Sequence, residues 1–154
     1  ENVMAGYYKN QEATEKVIDK DGWLHTGDMG TVNNDDTIFI KGRYKTMILG
    51  ASGQNIYPEE IESKLNNMPF IMESLVIEKD GRLVALVYPD YEAVDDYGIA
   101  NEDLPVAMEE IRKNLNKEVA PYEQIAKIHL YPTEFEKTPK RSIKRYLYTN
   151  FSPI

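Results

Sequence analysis

Short apolar runs separated by polar turns dominate the chain from residue 46 onward. Four of these runs predict strands, because apolar runs of this length bounded by turn residues are typical of buried strands. They are residues 46–49, 74–78, 83–88 and 125–131. Residues 58–68 carry apolar side chains at helical spacing, with Pro58 in the first turn, and predict a helix.

A second and longer helix is predicted for residues 104–119. Its apolar stripe predicts that one face of the helix packs against the core. The stripe comprises Val106, Met108, Ile111, Leu115 and Val119. Residues 90–103 are polar, so we expect an excursion with little regular structure there. The fold class is therefore α+β: a small domain of about three strands in a short mixed sheet flanked by helices.

The first part of the chain predicts a short helix at residues 10–18 and a β-hairpin. The hairpin strands are residues 28–32 and 37–41, joined by the polar turn at residues 33–36. Acids and amides in this turn lack the EF-hand pattern, which favours a solvated turn over a calcium site. His25 has no clustered partner and is interpreted as a packing or hydrogen-bonding residue, not a catalyst.

Composition narrows the possible classes of protein. The net charge of −8 argues against a general nucleic-acid or anionic-membrane binder, and without cysteine there is no disulfide or thiolate chemistry. No apolar run approaches the ~20 residues of a membrane span, and no signal-peptide pattern opens the chain. We expect a cytoplasmic protein, with peripheral membrane contact left open.

Several motifs carry candidate chemistry in residues 26–62. Asp28, after Thr26 and Gly27, can accept hydrogen bonds from a vicinal diol, and Arg43 places a forked cation where a strand ends. The loop at residues 50–55 offers free backbone N–H groups from a glycine-rich segment. Taken singly, each motif is more typical of an ordinary turn or hairpin connection.

The order of these motifs resembles the acyl-adenylate-forming superfamily, and most nearly its long-chain fatty acyl-CoA synthetases, or fatty acid–CoA ligases. The matching stretches are NVMAGYYKNQEAT, DGWLHTGDMG, IKGRYKTMIL and GQNIYPEEIE, with a weaker match at EKTPKRSIKR. The resemblance implies a carboxy-terminal fragment, because the chain enters within a motif. Residues 1–43 would close the large adenylation domain, and residues 44–154 would be the mobile small domain.

The resemblance also implies a two-step reaction for the intact enzyme. A fatty acid and ATP give acyl-AMP and pyrophosphate, with Mg²⁺ on the phosphates, and coenzyme A then displaces AMP. Asp28 and Arg43 would hold the ribose of ATP or AMP, and Lys45 would be the hinge. The loop expected to line the coenzyme A channel includes Gly50, Ser52, Gly53 and Gln54.

The basic tail departs from the family pattern. Ser142 stands where the superfamily places a catalytic lysine, so Lys144 and Lys140 are the candidates for that role by resemblance. The plainer interpretation of residues 137–145 is a solvated, charged end. We expect the fragment alone to be inactive, since the phosphate loop and the fatty-acid tunnel belong to the large domain.

Two alternatives remain open from the sequence. The parent could be an adenylating ligase for another acid, such as a medium-chain or aryl acid, or the chain could be a non-catalytic module that binds an anionic partner. The expected partners are fatty acid, ATP, coenzyme A and the missing amino-terminal domain, with no metal held by this chain. Apolar surface that the amino-terminal domain would otherwise cover could also drive self-association of the fragment.

Overall fold

A computed structural model describes residues 2–151 of the chain. The described residues divide into two compact units, and the division falls between Lys45 and Thr46. Unit 1 comprises residues 2–45 and unit 2 comprises residues 46–151.

Unit 1 contains one short helix and one hairpin. Helix α1 (Gln11–Glu15) begins where the Asn10 side chain accepts the Ala13 N–H at 3.0 Å, an N-cap. The predicted helix over residues 10–18 is too long, because the chain turns after α1 and Ile18 forms an antiparallel bridge with Leu24.

The hairpin of unit 1 joins β1 (Asp28–Val32) to β2 (Ile38–Arg43) in antiparallel register. The predicted turn is present: the Asn33 N–H donates to the Thr37 carbonyl at 2.9 Å. Strand β2 runs two residues further than predicted, which brings Arg43 opposite Asp28 in the ladder.

Unit 2 is built around a mixed sheet. Strands β3 (Ile48–Leu49) and β4 (Asn55–Ile56) form a small hairpin ahead of helix α2 (Pro58–Leu65). The sheet itself has the order β5-β6-β7, and β6 is antiparallel to β5 and parallel to β7. The remaining elements are β5 (Ile71–Lys79), β6 (Arg82–Pro89), α3 (Tyr91–Asp96), α4 (Leu104–Glu118) and β7 (Ile125–Leu130). The predicted α+β class with a short mixed sheet is confirmed.

Both faces of this sheet are covered. The helices bury one face, where Val76, Ala85 and Val87 pack with side chains of α2, α3 and α4. The other face carries Leu75, Ile77, Val84 and Leu86, which pack against Phe135 and Tyr148 of the tail. The alternation of side chains along β5 and β6 therefore serves two separate clusters.

Two predictions for the helical region are wrong. Residues 90–103 were expected to be irregular, yet Asp90 caps α3 by accepting the Ala93 N–H at 3.1 Å. Val106 is 63% exposed, since it lies two residues from both Leu104 and Met108 and so points away from the face they share. Among residues 2–151, none of the helices combines the length and apolar character that crossing a membrane requires.

Candidate functional site

The hairpin of unit 1 brings Asp28 and Arg43 together. Arg43 Nη1 donates to Asp28 Oδ1 at 2.7 Å, and the side chains are 58% and 34% exposed respectively. Each residue lies at the outer end of its strand, so solvent reaches both. A carboxylate and a guanidinium in this arrangement can accept from and donate to neighbouring sugar hydroxyls.

Two glycines allow this pairing. Gly27 has a φ of +77° in the turn before β1, and its carbonyl accepts the Tyr44 N–H at 2.9 Å, which extends the pairing beyond Arg43. Gly30 lies at the bulge in β1, where a Cβ atom would stand 2.7 Å from the Phe39 carbonyl oxygen. The close approach of the two strands therefore requires glycine at residue 30.

Lys45 is the last residue of unit 1, and its side chain is exposed. This is the position that the family resemblance implies as a hinge, which stays a prediction.

The glycine-rich loop connects β3 to β4 and is more closed than predicted. The Gly50 N–H donates to the Gln54 carbonyl at 2.8 Å, and the Gly53 N–H donates to the Gly50 carbonyl at 2.9 Å. Ser52 Oγ donates to Gln54 Oε1. The expectation of free backbone N–H groups is therefore wrong for Gly50 and Gly53, because the hairpin uses both donors internally.

The loop also forms one wall of a cavity in unit 2. The cavity has a volume of about 300 Å³, and its other walls come from β6 and from the segment that enters β7. Its lining residues include Gly50, Ser52, Leu83, Arg82, Tyr122 and Gln124. The walls are mainly apolar, with amide and hydroxyl groups, the cation of Arg82 and the carboxylate of Glu78, which suits an elongated ligand that carries amides.

The tail turn, residues 137–143, is hydrogen-bonded rather than loose. Lys137 and Ile143 form an antiparallel bridge, the Thr138 N–H donates to the Ser142 carbonyl at 2.8 Å, and Ser142 is exposed. Lys140 is also exposed, whereas Lys144 Nζ lies 3.1 Å from Glu136 Oε2. The hydrogen bond to Glu136 raises the pKa of the Lys144 ammonium.

Sequence reasoning missed an ion pair that anchors the tail. Arg145 Nη1 lies 2.7 Å and 2.8 Å from the two carboxylate oxygens of Glu62, and Arg145 Nη2 donates to the Val76 carbonyl at 2.9 Å. Burial raises the pKa of the Glu62 carboxyl, and the Arg145 guanidinium opposes that rise. The plainer expectation of a solvated basic end is therefore wrong for Arg145.

The predicted site residues thus lie in three groups. Asp28 and Arg43 are in direct contact within unit 1, and Lys45 ends that unit. The glycine-rich loop at residues 50–54 lines the cavity of unit 2, and the tail candidates lie on or beside the hydrogen-bonded turn. In the part of the chain that the structure describes, no cluster of acidic and histidine side chains suitable for a metal ion was found.

Comparison with known proteins finds similarity to CoA ligases and to adenylation domains. No protein-family model matches the chain. The chain is similar to curated CoA ligases, and its fold matches solved structures that include adenylation domains of carboxylate reductases.

Among curated proteins, the chain is 35% identical over 145 residues to 4-coumarate–CoA ligase 3 of Oryza sativa, covering 94% of this chain and 25% of that protein. It is 31% identical over 163 residues to the long-chain-fatty-acid–CoA ligase FadD15 of Mycobacterium tuberculosis, covering 93% of this chain and 27% of that one. The chain thus spans about a quarter of the length of these relatives.

Solved structures agree on the fold. The adenylation domain of a carboxylate reductase from Mycobacterium chelonae has a TM-score of 0.82 at 24% identity, with 94% of this chain and 24% of that chain covered. ATP-bound MatB from Rhodopseudomonas palustris has a TM-score of 0.71 at 25% identity, with 97% and 29% covered.

Proposed function

We propose that the chain is the carboxy-terminal part of an ATP-dependent acid–CoA ligase. Residues 1–43 would end the large adenylation domain, and residues 44–154 would form the mobile small domain. The observation that carries the proposal is the contact between Asp28 and Arg43 at the end of the hairpin, at 2.7 Å. The named activities of the relatives support the reaction class.

In the first half-reaction the substrate carboxylate attacks the α-phosphate of ATP. An O–P bond forms, pyrophosphate leaves with the bonding electron pair, and acyl-AMP results. Asp28 accepts hydrogen bonds from the ribose hydroxyls while Arg43 donates, which fixes the nucleotide for in-line attack. Mg²⁺ on the phosphates would neutralise charge, and its ligands would come from outside the residues described.

In the second half-reaction the thiol of coenzyme A attacks the acyl carbon. A C–S bond forms, the bond between the acyl carbon and the phosphate oxygen of AMP breaks, AMP leaves with that electron pair, and the thiol proton is released to solvent. Rotation at Lys45 exchanges the two poses of the small domain, because an exposed residue between compact units can change its backbone angles without breaking a core. The loop at residues 50–54 and the cavity beside it would then hold the amide-bearing arm of coenzyme A.

A long-chain fatty acid is the proposed substrate, on the wording of the motifs and the similarity to FadD15. A second candidate is an aryl acid, favoured by the 35% identity to a 4-coumarate–CoA ligase. Assays of the full-length protein with palmitate and with 4-coumarate separate the two. Faster acyl-CoA formation from 4-coumarate would overturn the fatty-acid assignment and leave the ligase class intact.

The decisive test of the nucleotide role is Asp28→Asn in the full-length protein. We expect ATP-dependent pyrophosphate release to fall by about 100-fold, the scale for losing a group that orients or stabilises the reacting centre. Asp36→Asn is the matched control, since Asp36 lies in the hairpin turn at a φ of +61° that asparagine tolerates. Equal rates for Asp28→Asn and wild type would remove Asp28 from the site.

The 154-residue chain alone should form no acyl-CoA, because the acid-binding tunnel and phosphate loop are expected in the missing domain. Exposed apolar side chains on the hairpin, among them Val32, Ile38 and Ile40, support packing against that domain or self-association in its absence. We propose a cytoplasmic parent, with peripheral membrane association as the alternative.

A further inference from the structure

The walls of the cavity in unit 2 differ in the hydrogen-bonding groups that they leave available. In the loop at residues 50–54, the N–H groups of Gly50 and Gly53 and the Ser52 hydroxyl all donate within the hairpin. These three donors are therefore not available to a ligand. A second wall contains Tyr122 and Gln124, which belong to the short segment that joins α4 to β7.

Tyr122 and Gln124 each keep one polar atom available. The Tyr122 hydroxyl makes no hydrogen bond within residues 2–151. Gln124 Nε2 donates to the Asn116 carbonyl at 3.2 Å, which leaves Gln124 Oε1 as an acceptor without a donor in the same part of the chain. A hydroxyl can donate, whereas an amide oxygen only accepts. The two atoms together therefore complement the C=O and the N–H of a secondary amide.

Hydrogen bonds at both ends hold this second wall in place. Asn116 exchanges two of them with the Ile125 backbone: its Oδ1 accepts the N–H at 2.8 Å, and its Nδ2 donates to the carbonyl at 2.9 Å. Arg112 Nη1 donates to the same carbonyl at 3.0 Å. At the other end, the Ala120 N–H donates to Glu123 Oε2 at 3.0 Å. The wall is thus ordered before a ligand arrives, which reduces the entropic cost of binding.

The charges and the apolar lining of the cavity restrict the kind of ligand. Glu78 and Arg82 both line it, so their opposite charges give it no excess of cations, in contrast to a phosphate site. Ile56 and Leu83, at 2% and 5% exposure, supply apolar surface. A volume of about 300 Å³ is small for a ligand site and suits a narrow chain. A neutral chain of methylene and amide groups fits this combination.

We propose that Tyr122 and Gln124 are specificity-determining residues that bind one amide of the pantetheine arm of coenzyme A. The Tyr122 hydroxyl donates to the amide carbonyl, and Gln124 Oε1 accepts the amide N–H. The inference rests on the proposed function and adds two residues that the loop motif does not include. Both residues belong to unit 2, so this pairing needs no group from residues 2–45.

The first test measures the thioester half-reaction of the full-length protein with acyl-AMP supplied. Tyr122→Phe removes one hydroxyl, and Gln124→Met removes the amide at nearly constant volume. Each should raise the KM for coenzyme A by about 10-fold, the scale for leaving a ligand's polar group unpaired, while kcat changes by less than about twofold. ATP–pyrophosphate exchange should stay within about twofold of wild type, because that step needs no coenzyme A.

Tyr97→Phe is the matched control for loss of a hydroxyl. Tyr97 is 77% exposed and does not line the cavity, so its variant should keep the wild-type KM. An unchanged KM in both Tyr122→Phe and Gln124→Met would overturn the inference, whereas an unchanged KM in one of them would remove that residue from the site. Normal pyrophosphate exchange in the same variants would show that they fold and that the ligase class stands.

The second test measures binding without catalysis. Equilibrium dialysis of the full-length protein against labelled pantetheine should give a Kd that rises by about 10-fold in each variant. Inorganic phosphate should not displace pantetheine, and displacement would overturn the assignment of a neutral ligand to the cavity. A wild-type protein that binds pantetheine through these residues but forms no acyl-CoA from palmitate or 4-coumarate would overturn the proposed function and keep the amide site.

Discussion

The two units of the chain bury their apolar side chains very differently. Within residues 2–45 only Gly42 is buried, and Trp23, Val32 and Ile40 are 73%, 65% and 67% exposed. Unit 2 instead buries apolar residues on both faces of its sheet, with Leu75, Val76 and Leu86 at 0% exposure. Since a two-stranded hairpin is at best marginally stable alone, unit 1 by itself should be far less stable than unit 2.

This contrast separates the places where mutations affect stability from those where they affect chemistry. In unit 2 most side chains that hold the fold are remote from solvent, so their loss should unfold it. In unit 1 the same substitutions should leave stability nearly unchanged. Substitutions of Asp28 and Arg43 should therefore affect chemistry rather than stability, since their contact is exposed and exposed ion pairs contribute little stability.

The largest effect is expected for Arg145→Met. The change leaves the Glu62 carboxylate buried without its cation, and breaking a buried pair in this way costs about 3–5 kcal/mol. Urea unfolding of the 154-residue chain, followed by far-UV circular dichroism, measures the loss. Arg82→Met, at an exposed arginine, is the control and should change the free energy of unfolding by less than about 0.5 kcal/mol. Equal losses for the two variants would contradict the anchoring role of Arg145.

A slightly smaller effect is expected for Leu75→Ala. Leu75 is fully buried in the cluster between the sheet and the tail, so the cavity and the lost transfer energy should cost about 2–5 kcal/mol. Phe39→Ala is the counterpart in unit 1, where the ring is 47% exposed, and it should cost about 0.5 kcal/mol or less. A loss for Phe39→Ala that matches the loss for Leu75→Ala would remove the contrast between the units.

Gly30→Ala tests how closely the hairpin strands must approach. The new methyl group would lie 2.7 Å from the Phe39 carbonyl oxygen, and relieving such overpacking costs about 1–3 kcal/mol. Because β1 would shift against β2, the contact of Asp28 with Arg43 should lengthen and pyrophosphate release by the full-length protein should fall. Gly22→Ala is the control for backbone strain without a close contact: Gly22 has a φ of +84°, but a Cβ atom there meets nothing within 4 Å, so β1 and β2 should keep their register and pyrophosphate release should be unchanged. Full activity in Gly30→Ala would show that the hairpin tolerates the shift.

Whether the sequence could predict a contact depended on how many residues separate its two partners along the chain. Asp28 and Arg43 are only 15 residues apart across one turn, so the predicted hairpin brings them near each other, although the bulge between Met29 and Gly30 and the longer β2 set their direct pairing. Glu62 and Arg145 are 83 residues apart, and no local pattern connects a helix acid to a tail arginine. Their contact depends on how the tail covers the sheet, which follows from aromatic packing around Phe135 and Tyr148.

The missed helix α3 has a different cause. Its six residues are too few for an apolar periodicity, and only Val94 among them is buried. The available signals were its ends: Asp90 as the N-cap and Gly98, at a φ of +68°, just beyond the C-terminus. Weighing the capping residues rather than polarity would have predicted the helix.

The smallest effect is a pH dependence in unit 1. The Trp23 N–H donates to Asp19 Oδ1 at 2.9 Å and His25 Nε2 lies 2.9 Å from Asp19 Oδ2, and these bonds lower the pKa of the Asp19 carboxyl below 3.8. A carboxylate favoured by folding stabilises unit 1 above pH 3.8, and this contribution is lost as the pH falls through the lowered pKa.

Asp19→Asn should therefore destabilise unit 1 at neutral pH and lose its effect in acid. Trp23 is the single tryptophan of the chain, so its fluorescence during urea titration reports on this unit. The difference between wild type and Asp19→Asn should shrink as the pH falls below 3.8. Asp21→Asn serves as the neighbouring control, because the Asp21 backbone N–H donates to Asp19 while its own carboxylate is exposed. A difference that stays constant with pH would mean that the Asp19 charge does not stabilise the turn around Trp23.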